Sequence, residues 1–178
     1  MQIDVVVTGV LDENCYILKK DGKCLVIDPG DDYPLIKEKI GDDKVIGVLI
    51  THSHFDHVGA LRNFLSKRSI KIFKKSMVEE EKEIEIGPFK FIPYYTPGHA
   101  KDSVTYYFKD DNALFVGDFI FKGSIGRCDF PGGSYVDMKK SIKILNNFPE
   151  EAKVYPGHGD STVLGEELKT NKCIKEIM

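Results

Sequence analysis

Thr51-His52-Ser53-His54-Phe55-Asp56-His57 is the stretch of this 178-residue chain whose reading decides the fold. It runs straight on from Val45 to Ile50, an almost continuous apolar segment that reads as a strand buried on both faces. After it, Val58 to Lys67 has helical spacing, with Leu61, Phe64 and Leu65 on one face. A strand that delivers an H-x-H-x-D-H loop onto a helix points to a strand-end site on an α/β frame. The chain has five histidines in all. The other two lie in Thr96-Pro97-Gly98-His99 and Tyr155-Pro156-Gly157-His158-Gly159. None is left over for the core or the surface, where chance would scatter them.

Upstream, Ile3 to Val7, Cys15 to Leu18 and Cys24 to Ile27 are short β-branched runs, the last two joined by a tight Asp21-Gly22 turn. Asp28-Pro29-Gly30 ends the third, and Tyr33 to Ile40 reads as a helix closed by Gly41. Downstream the layout repeats without repeating the sequence. Ile70 to Phe73 is a strand, and Ile84 to Ile86 with Phe89 to Tyr95 forms a hairpin about Gly87-Pro88. Val104 to Phe108 and Ala113 to Val116 are strands joined through Asp110-Asp111-Asn112. Tyr135 to Asn147 is an amphipathic helix, Lys153 to Tyr155 a short strand and Leu164 to Ile177 a terminal helix. Two strand-rich halves, each covered by helices and divided by no linker, predict a four-layer α/β/β/α sandwich, one domain over residues 1–178.

Composition sets the outer bounds. A hydrophobic content of 42% suffices for one proper core. With 25 basic against 28 acidic residues and a net charge of -3, no basic stripe stands out, which argues against a nucleic-acid partner. Lys19-Lys20 and Lys74-Lys75 read as solvated strand ends, and Glu79 to Glu85 as an exposed turn. Cys15, Cys24, Cys128 and Cys173 show neither C-x-x-C spacing nor the density of a disulfide framework. Cys15 and Cys24 lie in apolar runs, as small core residues do. A strand pattern starts at the N-terminus without a leader-like segment, and no apolar run reaches membrane-span length. The expectation is a soluble cytoplasmic protein, with its oligomeric state left open.

The chemistry lies in where the polar residues fall. His52, His99, Asp118 and His158 each follow an apolar strand, so loops can carry them to one rim. His52 and His54 are two apart and can point to the same side, while Asp56 and His57 begin the next helix and can face a neighbouring point. Any one of these has an ordinary explanation, Asp56 as a helix N-cap or Gly117-Asp118 as a turn. All seven together at strand ends do not. Five imidazoles and two carboxylates are enough for two metal ions sharing a bridge, and such donors suit zinc, iron or manganese rather than calcium or magnesium.

T-H-S-H-F-D-H-V-G, T-P-G-H, G-D and P-G-H-G, in this order, resemble the metallo-β-lactamase-fold hydrolases over essentially the whole chain. Within them Gly123-Ser124-Ile125-Gly126-Arg127-Cys128-Asp129-Phe130-Pro131-Gly132-Gly133-Ser134 resembles the glyoxalase II-like branch of hydroxyacylglutathione hydrolases. Pro156-Gly157-His158-Gly159, with Thr162, Gly165 and Glu166 behind it, is similar to that branch's short bacterial members. The resemblance implies that one metal takes His52, His54 and His99, the other takes Asp56, His57 and His158, and Asp118 bridges. It implies two divalent ions, zinc first, and hydrolysis of a small thioester resembling S-lactoylglutathione by a shared hydroxide, with Asp56 and Asp118 as the catalytic carboxylates. The best-known β-lactamases carry a cysteine where this chain has Asp118, which argues against antibiotic hydrolysis. Cys128 takes a structural place near the site, and Asp28 either orients a ligand histidine or caps the turn before Tyr33.

Two departures touch the substrate walls. The full-length enzymes continue beyond the position of His158 into a helical domain that holds glutathione, and the stretch between Phe73 and Ile84 is shorter than theirs. Arg127 matches a basic position near substrate, but the tyrosine expected two residues later is Asp129, so Arg127 either binds an anion or pairs with Asp129. Three other readings stand beside the hydrolase. A persulfide dioxygenase would hold one iron on His52, His99 and Asp118. A lactonase of the fold would use the same seven ligands. A non-enzymatic scaffold is opposed by the intact ligand set.

Overall fold

The structure, a computed structural model, describes residues 1–65 and 69–178. The first sheet takes the order β1 (Gln2–Thr8), β2 (Glu13–Lys20), β3 (Lys23–Ile27), β4 (Lys44–Leu49) and β5 (Lys71–Phe73). Asp21 and Gly22, at φ 52° and 68°, make the tight turn between β2 and β3. Helix α1 (Tyr33–Ile40) makes the crossover between the parallel neighbours β3 and β4, and Pro34 in its first turn needs no amide partner. α2 (Phe55–Val58) and α3 (Arg62–Leu65) lie between β4 and β5, also a parallel pair.

The second sheet holds β6 (Ile84–Ile86), β7 (Phe89–Tyr95), β8 (Val104–Phe108) and β9 (Ala113–Gly117). A short hairpin, β10 (Ile120–Phe121) and β11 (Ser124–Ile125), and helix α4 (Tyr135–Lys143) precede the remaining strands, β12 (Lys153–Pro156) and β13 (Thr162–Val163). α5 (Leu164–Thr170) and α6 (Lys172–Ile177) follow. The order is β13-β12-β9-β8-β7-β6.

Three apolar layers fill the spaces between four. Leu18, Leu25, Leu49 and Phe73 of the first sheet meet Phe89, Phe91, Tyr106 and Phe115 of the second. Ile17, Val26 and Val48, on the opposite face, pack with Ile36 of α1 and Phe64 of α3. Leu114 and Val154 pack with Met138, Ile142, Leu164 and Ile174 of the helices behind. Each fully buried side chain of this size contributes roughly 1.5–3 kcal/mol by leaving water. The αββα sandwich read from the sequence is the architecture of the chain.

Four local expectations change. The strand at 71–73 pairs with β4 in the first sheet rather than opening the second half. The helix expected over 58–67 starts earlier, at Phe55, and breaks, while its residues 66 and 67 lie outside the described residues. The break has a tertiary cause: the amide of Ala60 donates to the carbonyls of Pro29 (3.0 Å) and Gly30 (2.9 Å) instead of to its own helix. Gly30 is required there, since a Cβ would lie 2.0 Å from the Asp56 carbonyl oxygen. The helix over 135–147 tightens into a 3₁₀ turn from Ile144. The terminal helix is cut at Asn171, whose extended backbone lets its side chain accept from the amides of Cys173 and Ile174 and so cap α6.

Candidate metal centre

β7, β9 and β12 all run in one direction, because β7 and β9 each lie antiparallel to β8 and β12 is parallel to β9. Their C-terminal ends therefore open on a single rim, and His99, Asp118 and His158 follow those ends. The loop after β4 meets them from across the sandwich. Tyr106, fully buried, donates its hydroxyl to the carbonyls of Ile50 (2.9 Å) and Phe73 (3.0 Å), and the Val104 amide donates to Thr51 O at 2.8 Å. On the other flank the Tyr16 hydroxyl and the Asn14 amide group both donate to Pro156 O, at 2.6 and 3.1 Å. These bonds pin the two sheets together at the rim.

All seven candidate ligands come together there, six of them in two clusters with Asp118 between, and His52 and His57 form a further close group with Asp28. His52, His54 and His99 present nitrogens within 4.8 Å of one another, and so do Asp56, His57 and His158 with their donor atoms. In the first cluster His99 Nδ1 is engaged by the Arg127 carbonyl at 2.8 Å, which leaves Nε2 facing His54 Nδ1 at 2.9 Å. In the second, His158 Nδ1 meets the Leu11 carbonyl at 3.0 Å, leaving Nε2 3.3 Å from Asp56 Oδ2. Asp118 lies between. Its Oδ2 is 3.5 Å from His99 Nε2, and its Oδ1 is 3.4 Å from His57 Nε2 and 3.6 Å from His158 Nε2. Gly157 makes room: a Cβ there would meet Asp118 Oδ1 at 2.3 Å and the His57 ring at 2.6 Å.

Divalent cations fit this donor set. Among the described residues His52 Nε2, His57 Nε2 and Asp118 Oδ1 are buried without a hydrogen-bond partner. Leaving a buried polar atom unpaired costs about 1–3 kcal/mol, so three converging ones imply a shared positively charged partner. Burial lowers the pKa of His52 and of His99, favouring the neutral imidazole that a metal binds. For His57 burial acts the same way, but the carboxylates of Asp118 and Asp28 outweigh it and raise its pKa. Burial opposes the charge of Asp118, and the neighbouring histidines, His57 first, hold it below the usual range.

Behind the clusters Asp28 holds the geometry. One of its oxygens accepts the Thr51 amide at 2.7 Å, and the other meets both the Thr51 hydroxyl and His57 Nδ1, the latter at 2.9 Å. Asp28 is thus the orienter and not the cap of α1, whose N-cap is Asp32. Its φ of 48° is a left-handed conformation that aspartate tolerates better than most residues. Glu13, fully buried, gave no signal in the sequence. It accepts the Thr8 hydroxyl at 2.7 Å and approaches His57 Nδ1 at 3.8 Å. Burial, with the nearby Asp28, pushes its pKa up to about 9.

Over the clusters opens a cleft of about 750 Å³. Phe130 stands edge-on to both His54 and His99, with ring centroids 6.0 Å apart in each case, and Phe121 lies 6.3 Å from His158. Arg127 borders the cleft, with Nε and Nη2 donating to the Asp129 carboxylate at 2.7 and 2.6 Å and its guanidinium 4.1 Å over the Phe130 ring. The pairing alternative read from the sequence is the one formed. Cys128 donates to Gly126 O at 3.4 Å and packs on the helices behind, a structural place. The hairpin carrying Phe121 is held from beneath, where Glu167 accepts the Gly123 amide (2.8 Å) and Asn171 donates to Ser124 O (3.0 Å).

The sequence pattern described as "Metallo-beta-lactamase superfamily" matches residues 8–81 and 73–158, and the chain belongs to that superfamily. A Bacillus subtilis (strain 168) relative named "Probable metallo-hydrolase YqgX" is 34% identical over 192 residues, spanning 89% of this chain and 91% of its own. The hydroxyacylglutathione hydrolase GloC of Haemophilus influenzae is 25% identical over 205 residues, spanning 96% and 97%. Among solved structures, BLEG-1 B3 metallo-β-lactamase superimposes with a TM-score of 0.87 at 30% identity, over 97% of this chain and 99% of that one. TTHA1623 in a di-iron-bound form does so at 0.80 and 28% identity, over 96% and 99%.

Proposed function

We propose that the chain is a metal-dependent hydrolase that cleaves thioesters resembling S-lactoylglutathione. The observation that carries this reading is Asp118, whose two oxygens face different histidine clusters and whose Oδ1, among the described residues, has no hydrogen-bond partner. In this reading His52, His54 and His99 hold one divalent ion, Asp56, His57 and His158 the other, and Asp118 joins them. Zinc is the first choice and iron or manganese the alternatives, the di-iron relative supporting a two-metal occupancy. When bound, such a pair supplies a water whose pKa is lowered towards about 7 and an electrophile for a carbonyl oxygen.

The protein's share is positioning. Asp56 Oδ2 and Asp118 Oδ1 both face His158 Nε2, at 3.3 and 3.6 Å, and would be the catalytic carboxylates of the reaction. Asp28 and the carbonyls of Arg127 and Leu11 fix which nitrogen of His57, His99 and His158 faces the centre. A thiolate leaves with a pKa near 8.5 and needs no dedicated acid, which suits a centre made of imidazoles and carboxylates. Arg127 keeps a substrate-facing place, where an anionic group must compete with Asp129 for it. The reducing cytoplasm is the proposed compartment, supported by the four free cysteines; among the described residues no helix is long and apolar enough to cross a membrane.

The test is metal analysis of the purified protein together with turnover of S-lactoylglutathione and a small thioester panel. About two metal equivalents and turnover abolished by chelation are expected. One iron per chain with oxygen uptake and no thioester cleavage would replace this reading by a dioxygenase. β-Lactam ring opening is a second reading, supported by the likeness to the B3 enzyme despite the missing cysteine at position 118. Nitrocefin in the same panel separates the two.

A further inference from the structure

We infer that the cleft selects an uncharged, apolar acyl chain, so that its preferred substrates are medium-chain acyl thioesters rather than the anionic glutathione thioester. This rests on the hydrolase reading above and specifies its substrate class.

The wall is built from four separate segments. Leu11 comes from the β1–β2 loop, Phe55 from the start of α2, Phe121 and Ile125 from the β10–β11 hairpin, and Phe130 with Pro131 from the loop before α4. Phe55 is 72% exposed, and Leu11 and Phe130 are exposed as well. Large apolar side chains converging in this way around a polar centre mark a surface built for an apolar ligand. They also stand next to the ligands themselves, Phe130 against His54 and His99 and Phe121 against His158. A chain attached to a carbonyl at the centre meets aromatic rings at once.

Charge argues the same way. Glutathione carries two carboxylates beyond its thioester, and each needs a cationic or multiply hydrogen-bonding partner. Among the described residues that line the cleft the only Lys or Arg is Arg127. One donor edge of its guanidinium, Nε with Nη2, is taken by the Asp129 carboxylate, which offsets its charge, and one flat face rests on Phe130. Arg127 therefore acts as a positioning residue that braces an apolar wall. The reaction is unchanged in kind: water adds to the acyl carbon, the C–S bond breaks with its electron pair on sulfur, and the products are a carboxylate, a proton and a thiol.

The experiment is steady-state kinetics of the metal-loaded protein on acetyl, butanoyl, hexanoyl and octanoyl thioesters of one small neutral thiol, N-acetylcysteamine, beside S-lactoylglutathione. kcat/KM is expected to climb roughly threefold per methylene until the wall is filled, and S-lactoylglutathione to fall below the octanoyl thioester. Phe121→Ser and Phe130→Ser should each reduce the octanoyl-to-acetyl ratio about tenfold. In parallel, equilibrium binding of N-ethylacetamide and N-ethyloctanamide reads the wall without any turnover. The octanamide should bind more tightly, and both variants should erase the difference. A flat or falling acyl series, with S-lactoylglutathione preferred, overturns the inference while leaving a thioester hydrolase. No cleavage of any thioester overturns the hydrolase reading instead, and the amide pair then decides the wall: equal binding of the two amides refutes it.

Discussion

The metal rim and the cleft wall above it are built on opposite principles. In the rim the histidines are tied from behind: Asp28 grips His57, and the carbonyls of Arg127 and Leu11 grip His99 and His158. His52, His57 and His99 are buried. The wall is exposed, apolar and drawn from short loops and a two-residue-stranded hairpin, with Arg127 and Asp129 paired in solvent. On the hydrolase reading proposed above, the rim would set the reaction and the wall the molecule that undergoes it. The difference teaches that the first role would rest on residue type at fixed positions and the second on the shape of an apolar surface.

The contrast is tested most severely at Asp118. As the group facing both clusters it should, as Asp118→Ala, disturb both metal sites and lower kcat by on the order of a thousandfold, the scale of losing a group at the reacting centre. Asp56→Ala should weaken only the cluster with His57 and His158. Metal content measured on both variants decides, and loss of the same single equivalent from each would show that Asp118 does not bridge. Next in size is His54→Ala, which should lose metal from the first cluster and most activity while keeping a cooperative thermal transition. Normal metal content and turnover would remove His54 from the centre.

One step back from the ions, Asp28→Asn keeps the shape but removes the charge that His57 Nδ1 and the Thr51 hydroxyl meet. Metal affinity should fall about 10- to 100-fold with the fold intact, read by competition with a chelator. An unchanged affinity would reduce Asp28 to a turn residue.

The sequence made the rim legible and left the wall almost blank. Histidine and aspartate at strand ends are recognisable because metal binding admits few side-chain types, and a strand such as Val45–Ile50 announces where its end falls. Asp28 was visible only as one of two alternatives, since either role suits an Asp-Pro-Gly turn. Glu13 was invisible: nothing local distinguishes a carboxyl destined for full burial from a surface one. The broken helix after Phe55 depends on the Ala60 amide finding Pro29 and Gly30, a contact made only once the fold has formed. The cut at Asn171 has the same origin, because that side chain also reaches the hairpin at Ser124. Phe121 and Phe130 read as ordinary aromatic residues until the hairpin and loop bring them over the histidines.

The smallest expected effect is also the sharpest probe of the wall. Asp129→Asn removes the carboxylate that Arg127 grips but leaves the guanidinium against Phe130. An exposed pair of this kind holds its partners weakly, so the released cation should improve KM for S-lactoylglutathione only about two- to fivefold. The gain should appear for the anionic thioester and not for a neutral one, and it should shrink as salt is raised, because exposed charges are screened. kcat should stay level for both, since the change touches binding that is equal in ground and transition states. Kinetics at low and high salt, on the two substrates, separate the possibilities. An improvement shared equally by the neutral thioester would mean that Asp129 shapes the wall rather than occupying its cation, and no improvement at all would mean that Arg127 cannot reach a bound anion even when it is free.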